Sequence, residues 1–413
     1  MLARAHRAPI DYSVRLVHLA DLHLGFRQFH RLTPAGINQR EADVADAFRR
    51  AVDRVIELRP DLVVIAGDVF HAVRPMPAAI IHAFLEFQRL RASLPEAVVV
   101  MVAGNHDRPR SSETGCILRL FTQLGIHVAD DGVERFAFPE RDLFVLAVPD
   151  MPNPPPRFAP DPGFKHNVLV LHGEVEGMLP EHMARMDRAV MEIPQSAIGA
   201  AQWSYVALGH YHVHREIAPN EFYAGSIEYT SANPWGELVE EREAGLAGKG
   251  FIEYDLDARA PRVHALAAAR PLVNLLAVSA RGMSAAELDE AIKERVDECP
   301  GGIDDKIVRL VVRDVPRHIA RELDQKALRE YKRRALHFHL DTRRPELARV
   351  AAGGAPGRRA TLPETVEQYL NKRPLETGID RAAIVALGLQ YLHDADEAVH
   401  DTDTHSAVDG AVA

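Results

Sequence analysis

Six short runs of apolar residues set the terms on which this chain can fold. They are "VRLVHLADLH" (14–23), "DLVVIAGD" (61–68), "AVVVMVAGNHD" (97–107), "LFVLAVPD" (143–150), "HNVLVLHGE" (166–174) and "WSYVALGHYH" (203–212). Each reads as a buried strand, and a strand that is apolar throughout must be covered on both faces. Between the first runs lie helical patterns. From Glu41 to Leu58, Val44, Phe48, Ala51, Val52, Val55 and Ile56 recur at helical spacing until Pro60 ends the segment, and Pro77 to Arg91 reads as a second helix. The alternation predicts an α/β core in the first half of the chain. The proline-rich stretch 149–164 is a loop.

Five of the strands end in side chains of a different kind. Asp21 and His23 follow the first, Asp68 and His71 the second, and Asn105, His106 and Asp107 the third. His172 ends another, and His210, His212 and His214 the last. Gly104 is read as letting the backbone turn so that its three polar neighbours point one way. In open α/β sheets the functional crevice lies outside the carboxyl ends of the strands. Buried Asp and His without partners are costly, so their convergence calls for divalent cations. The donors are oxygen and nitrogen with no cysteine, which fits Mn²⁺, Fe²⁺ or Zn²⁺ in a catalytic role rather than structural zinc. The set is large enough for two ions sharing one carboxylate, about 3.5–4 Å apart, an arrangement suited to displacement at phosphorus. An imidazole beside them could protonate the leaving oxygen.

Composition bounds the rest. A chain of 413 residues suggests two or three domains, and 47% apolar residues suffice for packed cores. Cys116 and Cys299 form neither a disulfide framework nor a zinc pattern, which points to a reducing compartment. No signal peptide is expected in the first twenty residues and no membrane span anywhere, so a cytoplasmic protein is expected. The net charge of −10 argues against nucleic-acid binding, although basic residues outnumber acids from Ile303 to Arg344.

Past residue 270 the texture changes. "LVNLLAVSA" and "KIVRLVVRDV" read as strands around a helix that Ser284 caps, so 271–345 is expected to be a small α+β domain after a first domain of 1–270. Residues 346–360 read as a linker. Thr361 and Glu364 have the spacing of a capping box, with Pro363 in the first turn. That helix and a second from about Asp380, carrying Ile384, Leu387, Tyr391 and Leu392, form a tethered segment 361–399 suited to docking. Residues 400–413 are expected to be disordered.

The ordered series "DLH", "GD", "GNHD", "LHGE", "GHYH" resembles the calcineurin-like metallophosphoesterase superfamily. The resemblance implies a four-layer α/β sandwich, two mixed sheets flanked by helices, followed by a capping domain and a helical tail. It implies one ion on Asp21, His23, Asp68 and His212, and another on Asp68, Asn105, His172 and His210, with Asp68 bridging. His106 matches the catalytic histidine and Asp107 the carboxylate that orients it. "RLVHLADLHLG", "GDVFH" and "FYAGSIEYTSANPWGE" are similar to the DNA repair exonuclease branch, the SbcD-like nuclease subunits. That implies two divalent ions, Mn²⁺ foremost, DNA as substrate, His71 near the DNA, and an SbcC-like coiled-coil ATPase bound by the C-terminal helices, and it leaves a homodimer open. The expected activity is double-strand exonuclease with single-strand endonuclease. The alternatives are a small-molecule phosphodiesterase or phosphatase, which the acidic charge favours, and a non-catalytic scaffold, which would not need His106 and Asp107.

Overall fold

The computed structural model describes residues 13–109, 115–178, 189–345, 361–373 and 380–392. The expected linker 346–360 and the tail 400–413 lie outside them, as do 393–399 of the docking segment.

The central strands form where branched and aliphatic residues run without interruption. Leu62–Ala66 (LVVIA) and Val98–Val102 (VVVMV) are buried at every position. One six-stranded sheet has the order Ala260–Ala265, Gly250–Asp255, Arg15–Leu19, Leu62–Ala66, Val98–Val102, His127–Ala129. Its last four strands are parallel, and Gly250–Asp255 joins antiparallel to Arg15–Leu19. The other has the order Arg215–Ala218, Glu221–Tyr223, Tyr205–Gly209, His166–His172, Leu143–Val148, Glu134–Phe138. Its four inner strands are parallel and both edges antiparallel.

Because side chains alternate along a strand, each sheet feeds two cores. Leu16, Val64 and Val100 of the first meet Val145, Val168 and Ala207 of the second between the sheets. On the opposite face, Val17, Val63 and Ile65 lie under Phe48 and Val52 of helix Gln39–Leu58 and Phe87 of helix Pro77–Ser93. The far face of the second sheet, with Leu169, Leu171 and Leu208, is covered by Phe158, Ile198 and Trp203. The result is a four-layer α/β sandwich. Asn38 starts the first helix by accepting from the backbone N–H of Arg40 and Glu41.

Residues 272–342 add a three-stranded parallel sheet, Leu272–Ser279, Ile307–Arg313 and His337–Thr342, with its own core around Leu288, Ile292, Leu310 and Phe338. Ser284 and Glu287 form a reciprocal cap on helix Ala285–Asp297. Helices Arg317–Glu322 and Gln325–Arg334 and the third strand are not evident from the sequence pattern. This layer docks on the sandwich. Arg31 donates to the carbonyls of Arg333 and Ala335, both at 2.8 Å, and Phe29 stacks on His337 at 3.9 Å.

Met1–Pro345 forms one compact unit and Glu346–Ala413 a second. In the second, Thr361 and Glu364 cap helix Leu362–Lys372 reciprocally, and residues 381–392 are helical. Leu370 lies against Gly388, and Arg381 donates to the carbonyls of Leu370, Asn371 and Arg373. Among the described residues no helix is long and apolar enough to cross a membrane.

Glu221 has no exposure, neither side-chain oxygen has a hydrogen-bond partner among the described residues, and burial pushes it up to about 7. A carboxyl raised in the fold contributes stability that is fully present below its unfolded value and is lost as pH rises through about 7. Glu221→Gln stays neutral at every pH. In melts between about pH 5 and 8, wild type should lose ~2–4 °C more than this variant. Parallel pH profiles would refute the assignment.

Candidate metal centre

The parallel central strands bring their carboxyl ends to one edge, and backbone hydrogen bonds then zip the exits together. Asp21 N donates to Gly67 O at 3.1 Å, His23 N to Asp68 O at 2.9 Å and Leu24 N to Val69 O at 2.9 Å. The second sheet is tied in by His210 N, which donates to Asp21 Oδ1 at 2.9 Å, and by His172 Nδ1, which donates to Ala66 O at 2.8 Å. Asp21, His23, Asp68 and His210 all have positive φ, at 51°, 45°, 51° and 104°. Such strain persists only where the surroundings over-determine it, and it gathers at functional sites.

Three donor groups result. In each of Asp21/His23/His212, Asp68/His172/His210 and His23/His71/His106, the ligand atoms lie within 4.8 Å of one another. His23 Nε2 and His212 Nε2 are 3.0 Å apart. His172 Nε2 and His210 Nδ1 lie 3.0 and 3.2 Å from Asn105 Oδ1. Asp68 Oδ2 stands between the groups, 3.7 Å from His23 Nε2 and 3.5 Å from His172 Nε2. Two ligands each about 2.1 Å from one ion sit roughly 3.0–3.4 Å apart, so the His23–His212 spacing and those of His172 and His210 to Asn105 fit shared coordination spheres, with Asp68 slightly farther out. The remaining oxygen, Asp68 Oδ1, accepts from His106 N at 3.0 Å.

The proton positions also fit. A carbonyl can only accept, so Ala66 O fixes the proton of His172 on Nδ1 and leaves a lone pair on Nε2 in the neutral ring. Glu174 Oε1, 3.2 Å from His210 Nε2, does the converse and turns the Nδ1 lone pair toward Asn105. Two lone pairs facing an amide oxygen repel unless a proton or a cation lies among them. Outer acceptors that set the tautomer of ligating histidines are the usual companions of metal sites.

Burial pushes Asp21 upward, against the pull of His212 and His172. Burial and the neighbouring imidazoles hold His23 well below its ordinary range. For His172 burial acts downward, but Asp68 and Asp21 outweigh it and the value is raised. The centre thus pairs buried carboxylates with buried imidazoles, while Asn105 and His106 at its edge are partly exposed.

Asp107, expected to orient His106, directs both carboxylate oxygens to backbone N–H groups. They accept from Gly104, Val69 and Phe70 at 3.0, 3.1 and 2.9 Å, which clamps the second and third strand exits together. Burial and the charge of Asp68 push it up to about 7. His106 is oriented by His71, whose carbonyl accepts from His106 Nδ1 at 2.8 Å. Gly104 does not supply a turn of unusual hand. It supplies room, since a Cβ there would fall 2.1 Å from Asp68 Oδ1. His71 lies against the centre, its Nδ1 3.3 Å from His23 Nδ1. His214 is in none of the donor groups, and its ring stacks with Phe222. Glu174 joins the site unforeseen, although it stands inside "LHGE", two residues after His172, where strand alternation puts it on the same side.

Residues 14–217 match the calcineurin-like phosphoesterase family. The chain is 26% identical over 254 residues to the DNA double-strand break repair protein Mre11 of Methanococcus maripaludis, covering 59% of this chain and 63% of the relative. It is 26% identical to the Methanocaldococcus jannaschii protein of that name, covering 58% and 62%, and 28% identical to that of Thermoplasma acidophilum, covering 58% and 61%. The chain therefore spans less than two thirds of the length of these relatives.

The contact at Gly104 gives a direct test. Gly104→Ala should push Asp68 out of place, weaken Mn²⁺ binding at least tenfold and cost about 1–3 kcal/mol of stability. Gly132→Ala, where nothing lies within 4 Å of the added Cβ, should do neither. Calorimetric titration and melts read both, and wild-type binding by Gly104→Ala would remove Asp68 from the ligand set.

Proposed function

We propose, for a chain whose residues 14–217 belong to the calcineurin-like phosphoesterase family, that it is a metal-dependent DNA nuclease of double-strand break repair. It would act as an exonuclease on duplex ends and an endonuclease on single strands. The observation that carries this reading is the pair of donor groups meeting at Asp68, beside a histidine whose tautomer is fixed. The names of the relatives support DNA as the substrate.

Asp21, His23, Asp68 and His212 would hold one divalent ion, and Asp68, Asn105, His172 and His210 a second. Bound there, such ions, Mn²⁺ foremost with Fe²⁺ or Zn²⁺ as alternatives, would activate water and stabilise charge on the scissile phosphate. His106, with Nδ1 committed to the His71 carbonyl, exchanges a proton at Nε2 and can donate it to the leaving oxygen. Asp107 keeps that histidine in place through the backbone. His71, next to both His23 and His106, would meet the DNA end.

The acidic net charge does not exclude a polyanion. A cleft of about 770 Å³ is lined by His30, Arg31, Lys332, Arg333, His337 and His339 and offers local positive charge to phosphates. The helices of 361–399 would bind an SbcC-like ATPase, since Leu362, Tyr369, Leu387 and Tyr391 are exposed there. Ile81 and Leu85, one turn apart and exposed on helix Pro77–Ser93, offer a face to a second copy. Two buried free cysteines suit a reducing cytoplasm.

Incubation of the full chain with Mn²⁺ and end-labelled duplex DNA, beside a small phosphodiester, tests the activity. DNA should be cut, and His106→Ala should slow cutting by ~10²–10⁴-fold. Brisk hydrolysis of the small ester without DNA cleavage would sink the nuclease reading. Removing Glu346–Ala413 should spare ester hydrolysis and abolish co-purification with a coiled-coil ATPase of the SbcC type. Retained binding would misplace the docking segment.

A further inference from the structure

Beside the donor groups lies a set of buried charges that the reaction leaves unused. Glu237 and Glu241 stand on helix Pro234–Glu243, and Lys249 precedes strand Gly250–Asp255. Their side chains are 1–3% exposed. Lys249 Nζ is paired with Glu237 and, at 2.9 Å, with Glu241, and it donates to the backbone carbonyl of His212 at 2.8 Å. Tyr229 donates to Glu241 at 2.5 Å, and Ser226 N donates to the same His212 carbonyl at 3.1 Å.

The other oxygen of Glu237, Oε1, lies 3.5 Å from His212 Nδ1. Neither atom has a hydrogen-bond partner of its own among the described residues. A buried carboxylate oxygen and a buried ring nitrogen that face only each other are each other's partners, because the alternative strands two polar atoms away from water. Two carboxylates against one ammonium also leave an excess negative charge in this closed pocket. Such a charge is strongly unfavourable unless a cation stands near.

We propose that Glu237 is a positioning residue of the metal centre. As acceptor for His212 Nδ1–H, and itself held by Lys249, it fixes the tautomer whose Nε2 lone pair faces His23 Nε2. It also supplies negative charge behind the ligand. This rests on the reading of the site as a metal centre. It predicts an asymmetry between the two ions. Only the ion shared by Asp21, His23, Asp68 and His212 feels Glu237, while His172 and His210 have their own outer partners in Ala66 O and Glu174.

The test uses the full chain and MnCl₂. Glu237→Gln removes the charge on His212. Glu241→Gln removes a charge from the same lysine without touching His212 and so reports the cost of disturbing the buried pair. Calorimetry and electron paramagnetic resonance count bound Mn²⁺, and melts without metal report folding. Wild type should bind two ions. Glu237→Gln should keep one at wild-type affinity and bind the other ~10–100-fold more weakly, while Glu241→Gln keeps both. Hydrolysis by Glu237→Gln should recover its kcat at saturating Mn²⁺ with a raised half-saturating concentration. Wild-type affinities in Glu237→Gln, or equal losses in both variants, would overturn the inference and leave the metal centre standing. A wild type that binds no Mn²⁺ would overturn the metal centre and the inference with it. Should Glu237→Gln fail to fold, the triple variant Glu237→Gln/Glu241→Gln/Lys249→Met removes all three buried charges together. It should show the same selective weakening of one ion, and wild-type affinity for both would overturn the inference.

Discussion

The crevice depends on how closely the two sheets approach at the carboxyl ends of their central strands. At Gly209 the gap is so small that a Cβ would fall 1.7 Å from Ala66 O, and one at Gly67 would fall 2.3 Å from His172 Nδ1. Only glycine permits that approach. It lets a histidine from one sheet use a backbone carbonyl of the other as its proton acceptor. The tautomer of His172, and with it the direction of a lone pair, is therefore a property of sheet packing rather than of the loop that follows. The geometry of the proposed metal site begins in the core between the sheets.

From that contact the order spreads through the exits. Each of the first three strands leaves the sheet into a loop that would be mobile alone. The loops are held by one another through backbone hydrogen bonds from Asp21, His23 and Leu24 to Gly67, Asp68 and Val69. Asp107 closes the third onto the second with both carboxylate oxygens. Left-handed backbone at Asp21, His23, Asp68 and His210 costs on the order of 1–3 kcal/mol at each position, and this mesh offsets it. Asp and His tolerate such φ better than branched residues do, so the residues proposed as ligands are also those that can stand the conformation.

Much of this was legible in the sequence because two signals coincided. Strands such as Leu62–Ala66 and Val98–Val102 are apolar at every position, and polar residues begin where they stop. The topological rule for parallel sheets then places those residues on one edge. What the sequence hid is of two kinds. Short or half-exposed strands, such as Glu221–Tyr223 and Ala260–Ala265, carry no strong period, and Gly250–Asp255 joins the sheet beside Arg15–Leu19 from more than two hundred residues away. The roles of Asp107 and Gly104 depend on distances to Asp68, Val69 and Phe70, which no local pattern encodes. A carboxylate next to a histidine in sequence suggests a partnership. In this fold the carboxylate faces the backbone, and the histidine takes a carbonyl from another loop.

The placement of acids and imidazoles bears on how stability and chemistry are linked. Asp21, His23 and His172 are almost completely buried, and burial by itself disfavours their charged forms. Without cations the cluster has one remedy, which is to share protons; burial acts against it at His172, but the charges of Asp68 and Asp21 push that imidazole upward. A divalent ion does the same electrostatic work and displaces those protons. As a metal centre, the cluster would be either protonated or metallated. The outer acceptors, Ala66 O and Glu174, decide which nitrogen carries the competition. A scaffold that needed only the sandwich would gain stability by replacing this cluster with apolar side chains. The strained backbone, the close glycine contacts and the fixed tautomers all run the other way, toward keeping a costly polar cluster in one geometry.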